Sequence, residues 1–113
     1  AENALSIANE VSELHNAVEA TQTLGLIARD EGDLGAAAAH LRRALAMAQA
    51  RLGPLNTGSC RLDLASVLFD AQGTSDAQQA LVAANADFIR CGARKYIERA
   101  QALATKHNVT LSR

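Results

Sequence analysis

The side chains best suited to metal binding or acid–base chemistry are widely spaced along this chain. His15, His40 and His107 fall in different predicted helices, with no Cys or carboxylate at the spacing of metal ligands. Cys60 and Cys91 form no CxxC pair, so we predict that both are small apolar core residues of a reduced, cytoplasmic protein. A disulfide between them is the alternative. We expect no metal and no cofactor.

Three acidic residues, Asp30, Glu31 and Asp33, surround a Gly-Asp break in the chain. A calcium loop needs a longer alternation of oxygen ligands, whereas acids here would cap the next helix and meet its positive end. The sequence has no Gly-rich phosphate loop and no GxSxG motif. We therefore predict that the chain is not an enzyme.

Charge is unevenly distributed. Residues 1–41 hold seven acids and one base, whereas residues 42–113 hold five acids and ten bases. A basic run late in the chain is interpreted as the solvated face of a terminal helix, with contact to an anion or an acidic partner as the alternative. Only one aromatic residue interrupts it, so we expect no nucleic acid. The run comprises Arg90, Arg94, Lys95, Arg99 and Lys106.

The elements that position these residues are predicted from composition. Of 113 residues, 49% are hydrophobic, mostly Ala and Leu, and 3% are aromatic. Such a chain favours helices and has too few β-branched and aromatic residues for a sheet, which makes the fold class all-α. No stretch is long enough to span a membrane, and no signal-peptide pattern is present. The net charge of −1 selects neither nucleic acid nor membrane.

Small residues and leucines recur forty residues apart, which indicates an internal repeat. Apolar spacing predicts a first helix that ends at Gly32 and a second that begins at an Asp33 cap and closes at Gly53-Pro54. The predicted buried face of the first helix comprises Leu14, Val18, Thr21, Leu24, Gly25 and Ala28. Ala4 aligns with Ala44 and Ala84, which suggests that the chain starts inside a repeat and is part of a longer protein.

The second unit is predicted to repeat this hairpin. Its first helix would cover residues 57–72 and end at Gly73, and Ser75 with Gln78 would form a capping box for the next helix. The predicted divisions of this single domain are 1–11 (the end of a partial repeat), 12–53 and 55–91 (two repeats), 93–107 (a capping helix) and 108–113 (a frayed tail).

The pattern resembles the tetratricopeptide repeat, in the extended form of about forty residues found in kinesin-light-chain-like and bacterial signalling proteins. The matching residues are Leu24-Gly25, Gly32-Asp33-Leu34, Ala37, Leu41 and Ala44-Leu45, with a weaker match at Leu64-Ala65, Leu68, Gly73, Ala77, Leu81 and Ala84. The resemblance implies antiparallel helical hairpins stacked as a short right-handed α-solenoid. Small residues at the helix crossings support it, because they allow close approach.

In that family the ligand usually lies in a concave groove lined by the first helix of each unit. The Lys and Asn residues of the family's carboxylate clamp are absent, and Leu26, Leu62 and Phe69 would serve as apolar anchors. By register, the partner-binding residues would be Glu19, Gln22, Thr23, Leu26, Arg29, Asp30, Ser59, Leu62, Asp63, Ser66, Phe69, Asp70, Arg94, Ile97, Glu98 and Gln101.

The functional hypothesis is a protein–protein interaction module that binds a peptide or protein segment in this groove. The first alternative is an intramolecular regulatory segment of a multidomain transcription regulator, nucleotide cyclase or ATPase. The second is a self-associating module whose acidic beginning meets the basic end of another copy, forming a homo-oligomer through open repeat ends. A helical bundle with a buried cofactor is the non-repeat alternative.

Overall fold

The structure, a computed structural model, describes residues 2–111 as five α-helices, with no strand in that range. The all-α prediction is confirmed. The helices are α1 (Glu2–Asp30), α2 (Leu34–Arg51), α3 (Pro54–Asp70), α4 (Thr74–Cys91) and α5 (Arg94–Lys106). None of them, over the described residues, has the length and apolar character that a membrane crossing requires.

The first helix is longer than the repeat pattern predicts. We expected a partial repeat to end at residue 11 and a new helix to begin at residue 12, but α1 continues through this position without a break. No Gly or Pro occurs in α1 before Gly25, so the sequence offers nothing there to stop a helix. Leu24 also departs from expectation, because it is 47% exposed rather than part of the buried face.

The turn between α1 and α2 follows the predicted chemistry. Gly32 takes the left-handed conformation with φ of 84°, which a glycine adopts without the steric cost of a Cβ atom. The Asp33 side chain then accepts a hydrogen bond of 3.0 Å from the backbone N–H of Ala36 and caps α2. Both parts of the Gly-Asp prediction are confirmed.

The second hairpin uses different local chemistry. Its first helix begins at Pro54 and ends at Asp70, rather than covering residues 57–72. The left-handed residue of the α3–α4 turn is Gln72, with φ of 64°, and not Gly73. The predicted Ser75 capping box is wrong, because α4 begins two residues earlier than such a box requires, with Gly73 as its N-cap and no side-chain cap.

The segment after α5 was predicted to be frayed, and for residues 108–111 this is wrong. The backbone N–H of Val109 donates a 2.8 Å hydrogen bond to the carbonyl of Ala104, and Leu111 is buried in the core. Residues 112 and 113 of the predicted tail lie outside the described residues. The apolar side chains of residues 108–111 therefore pack against the hydrophobic core formed by the helices.

The helices form two rows. Each helix packs against its neighbours in sequence, and α3 also contacts both α1 and α5. Among the described residues, α2 and α4 do not touch each other. One row therefore consists of α1, α3 and α5, in which α3 contacts both α1 and α5, and α2 and α4 form the second row.

Close helix crossings depend on two glycines. A Cβ atom on Gly25 would lie 2.8 Å from Cγ of Leu41, so the predicted role of Gly25 in the α1–α2 crossing is confirmed. Gly58, which the sequence reading did not single out, has the same role between α3 and α4. A Cβ atom there would lie 2.7 Å from Cε1 of Phe88 and 3.0 Å from Cβ of Asp87.

Candidate partner-binding face

The predicted groove residues of α1 and α3 bond to one another across the contact between these helices. The side-chain amide of Gln22 donates hydrogen bonds to Oγ of Ser59 (3.3 Å) and Oδ2 of Asp63 (3.1 Å). Two helical turns further along, Nε of Arg29 donates to Oδ2 of Asp70 at 2.8 Å. These five side chains form a polar ladder that holds α1 against α3. We call the solvent-facing side of the three helices in this row the α1–α3–α5 face.

Asp63 occupies the middle of the ladder and is partly buried. Burial raises the pKa of its carboxyl group above the ordinary value, and the Gln22 hydrogen bond and the charges of Arg29 and Arg99 oppose that rise. The carboxylate is thus less stable here than in water, even with three partners. An ionisable group whose charged form is disfavoured by burial, at the contact between two helices, is a candidate for recognition of a partner.

Arg99 is the residue of this face that the sequence reading missed. It was noted only as one of the basic run on α5, but its charge acts on Asp63, which lies on α3. Its guanidinium also lies 5.0 Å from the centre of the Tyr96 ring, a cation–π contact that orients it. Thirty-six residues separate Arg99 from Asp63 in the sequence, and no local pattern connects them.

The three predicted apolar anchors differ in accessibility. Leu26 is 37% exposed, whereas Leu62 is partly buried and packs on the core. Phe69 is only 9% exposed, because the His107 ring stacks on it with centroids 3.9 Å apart and planes 3° from parallel. Phe69 is therefore covered by the chain's own C-terminal region, and Leu26 is the most accessible anchor.

The remaining α1 and α3 residues of the predicted set lie on or beside the ladder. Thr23 is exposed and its hydroxyl donates to the carbonyl of Glu19, within the same helix. Glu19 accepts a 3.1 Å contact from His15, Asp30 is exposed, and Ser66 is partly buried. His15 and Glu19 thus do pair, contrary to the expectation that no carboxylate lies at ligand spacing from a histidine.

The predicted α5 residues are not joined to the ladder by any hydrogen bond or ion pair that the structure defines. Arg94 and Glu98 are exposed, Ile97 packs partly on the core, and the buried amide nitrogen of Gln101 has no hydrogen-bond partner. Arg99, one position past Glu98, is instead the α5 residue that acts on Asp63.

The cysteines and histidines do not assemble into a reactive centre in the described part of the chain. Both cysteines are free thiols there, Cys60 buried and Cys91 exposed, so the prediction of a buried residue is confirmed only for Cys60. Burial raises the pKa of the Cys60 thiol to about 12, with Asp63 adding to the effect, which leaves it protonated and unreactive. Among the described residues, no three His, Cys, Asp or Glu side chains group as metal ligands would.

Comparison of the chain with protein-family models, curated proteins and solved structures found no match. The resemblance to tetratricopeptide repeats therefore depends on the residues quoted above, and the function has to be argued from the geometry of the face.

Proposed function

We propose that this chain is a helical-repeat interaction module that binds a peptide or protein segment on the α1–α3–α5 face. In this proposal the two hairpins and α5 stack as a short right-handed solenoid of the tetratricopeptide type. The row that makes helix contacts throughout forms the concave side. The row of α2 and α4, whose members do not touch, forms the convex side.

The position of Asp63 is the observation that carries this proposal. Its charged form is disfavoured by burial, yet three side chains from the two flanking helices act on it, Gln22 and Arg29 from α1 and Arg99 from α5. The Gln22 hydrogen bond and the charges of Arg29 and Arg99 only partly offset this burial, so a half-buried carboxylate here fits a recognition group. A donor from a bound segment would supply the solvation that Asp63 lacks.

The chemistry of the face defines the class of segment that it would accept. Gln22, Ser59 and Asp63 offer acceptors at the centre, and Leu26 offers an accessible apolar contact beside them. The ladder also fixes these side chains before binding, which reduces the entropy lost when a complex forms. We therefore propose a segment with one apolar side chain next to a hydrogen-bond donor, such as a Lys, an Arg or an unpaired backbone N–H.

The test is selection from a displayed random-peptide library, followed by affinity measurements with variants. Leu26→Ala should weaken binding of the selected peptides several-fold, because it removes the accessible anchor of the face. Leu24→Ala is the matched control. It removes an exposed leucine of the same helix, 47% exposed against 37% for Leu26, from a position roughly 200° away around α1.

Two results would overturn the proposal. One is that the wild-type chain selects no peptide at all. The other is that selected peptides bind the Leu26→Ala variant as tightly as the wild type and lose affinity for Leu24→Ala. Circular dichroism of both variants checks that each retains its helices.

A further inference from the structure

One side of α1 carries an exposed apolar ridge that points away from the polar ladder. Leu24 and Ile27 are 47% and 48% exposed. Each lies two residues from a ladder residue, Gln22 and Arg29 respectively, and two residues correspond to roughly 200° around a helix. The ridge continues toward the start of α1 at alternating spacings of three and four residues. Its members, all exposed, are Ala17, Ala20, Leu24 and Ile27, and we call them the α1 ridge.

Acidic residues continue the α1 ridge at both ends. Glu13 precedes Ala17 by four residues and Glu31 follows Ile27 by four, and both are exposed. The helix α1 holds five acids and one base. Two copies paired through their α1 ridges would bring these acids together, which is unfavourable at low salt. The α1 ridge therefore fits a basic partner surface better than it fits another α1.

A second surface is a groove between α4 and residues 108–110. Its volume is about 700 Å³. Val82, at 52%, is the most exposed large apolar residue of the described part of the chain, and Ile89, seven residues on and 41% exposed, extends the same side of α4. The groove is lined by Ser75, Gln78, Gln79, Val82, Ala83 and Ala86 from α4, and by Asn108, Val109 and Thr110. We call it the α4 groove.

The net charge of α4 and α5 is opposite to that of α1. Together α4 and α5 hold five basic and three acidic residues. One of the acids, Asp87, is buried and paired with Arg61 at 2.6 Å, so it contributes little to the surface. Arg90 and Arg94 are both exposed beside the turn that joins α4 to α5. An apolar ridge with acidic ends thus has, on the same molecule, a groove of mixed polar and apolar lining on a pair of helices whose net charge is positive.

We propose that copies of this chain stack head to tail, with the α1 ridge of one copy seated in the α4 groove of the next. The two surfaces differ, so the contact is heterologous and propagates into an open chain of copies. Because α1 has a negative net charge and α4 and α5 together have a positive one, rising salt weakens the assembly. The α1–α3–α5 face takes no part in this contact and remains free for a bound segment.

The first experiment measures the mass of the purified wild-type chain by sedimentation equilibrium over rising concentration and at low and high salt. The expected result is a mass that increases with concentration without stopping at a dimer, and that falls when salt is added. A monomer at the highest concentration and lowest salt overturns the proposal.

A complementation experiment distinguishes head-to-tail stacking from any symmetric pairing. Leu24→Glu removes the α1 ridge and leaves the α4 groove, whereas Val82→Glu does the reverse. Each variant alone should be monomeric, and their mixture should form a one-to-one complex through the single intact contact. Leu26→Glu, on the α1–α3–α5 face of the same helix, is the control that should assemble like the wild type.

Other outcomes of the mixing experiment contradict the proposal. Self-association of Val82→Glu but not of Leu24→Glu would mean that two α1 ridges pair with each other. Failure of the mixture to form a complex, with both variants folded by circular dichroism and the wild type assembled, would mean that the α1 ridge and the α4 groove are not partners.

Discussion

The two helical hairpins of this chain reach a similar shape by different means. The first, α1–α2, has a turn with favourable local chemistry, in which Gly32 takes the left-handed conformation and Asp33 caps the next helix. The second, α3–α4, places Gln72 in the left-handed conformation and has no side-chain cap. Both hairpins have a tight glycine crossing, at Gly25 and at Gly58, and the second hairpin adds a buried ion pair. Favourable turn chemistry therefore distinguishes the first hairpin, and a buried ion pair between its helices distinguishes the second.

Substitutions in the two Arg–Asp ion pairs are expected to give the largest difference in the free energy of unfolding. Arg61 and Asp87, between α3 and α4, are joined at 2.6 Å, and the Asp87 side chain is 4% exposed. Arg61→Met leaves this carboxylate buried with only Arg90, 3.9 Å away, and should lower the free energy of unfolding by about 3 kcal/mol. Urea denaturation monitored by circular dichroism measures this change in the free energy of unfolding.

Arg29→Met is the matched control for this prediction. Arg29 and Asp70 are 2.8 Å apart, but their side chains are 31% and 35% exposed, so water solvates the remaining carboxylate. The loss in the free energy of unfolding should stay below about 1 kcal/mol. Equal losses for the two variants would contradict the role assigned to the buried ion pair in the second hairpin.

A glycine comparison gives the next largest effect. Gly58→Ala forces a Cβ atom against Phe88 and against Cβ of Asp87, which cannot rotate away because it is attached directly to the backbone. We expect a loss of about 1–2 kcal/mol in the free energy of unfolding, after allowing for the better helix propensity of alanine. Gly35→Ala, where the new Cβ would meet only Oδ1 of Asp33 at 3.8 Å, should instead stabilise by up to about 1 kcal/mol. Destabilisation by Gly35→Ala equal to that by Gly58→Ala would show that the crossing is not the cause.

Substitutions at the N-terminal ends of α2 and α4 are expected to differ by a smaller amount in stability. Asp33→Ala removes the hydrogen bond to Ala36 and should lower the melting temperature by the equivalent of about 1 kcal/mol. Ser75→Ala tests the capping box that the sequence suggested and the structure lacks, and it should change stability by less than about 0.5 kcal/mol. A larger effect at Ser75 than at Asp33 would contradict the proposed division between the two hairpins.

The smallest effect concerns Asp63, which links the hairpins, and its sign depends on pH. The pKa of Asp63 is raised above its ordinary value of 3.8 in the folded chain, mainly by burial. Its contribution to stability is therefore fully present below pH 3.8 and is lost as the pH rises through the raised pKa. Asp63→Asn keeps an acceptor for Gln22 and removes the charge, so it should stabilise the chain at neutral pH and not in acid. Destabilisation at neutral pH would mean that Arg29 and Arg99 outweigh burial.

The features of the fold that the sequence predicted are those set by local residues. The helical class, Gly25, Gly32 and the Asp33 cap all depend on residues close together in the chain, and each was confirmed. Gln72 was missed because a non-glycine residue in the left-handed conformation depends on the packing around it. The continuous α1 was also missed, since a repeat register predicts breaks where the local sequence has none.

The site was predictable in part for the same reason. Gln22 and Arg29 fall on one side of α1 by helical spacing, and the repeat register assigned Asp63 and Asp70 to the same predicted face, but it did not predict the hydrogen bonds between them. Arg99 and the covering of Phe69 by His107 depend on how α5 and the following segment lie against α3. Long-range contacts of this kind leave no local trace in a single sequence.

The most direct test of the binding proposal is a two-dimensional amide NMR titration of the chain with a peptide selected from the library. The account predicts that shifts concentrate at Leu26, Asp63 and Ser66, on the α1–α3–α5 face, and leave Leu24 and Val82 unchanged. Shifts confined to Leu24, Val82 and their neighbours, with none at Asp63, would contradict it.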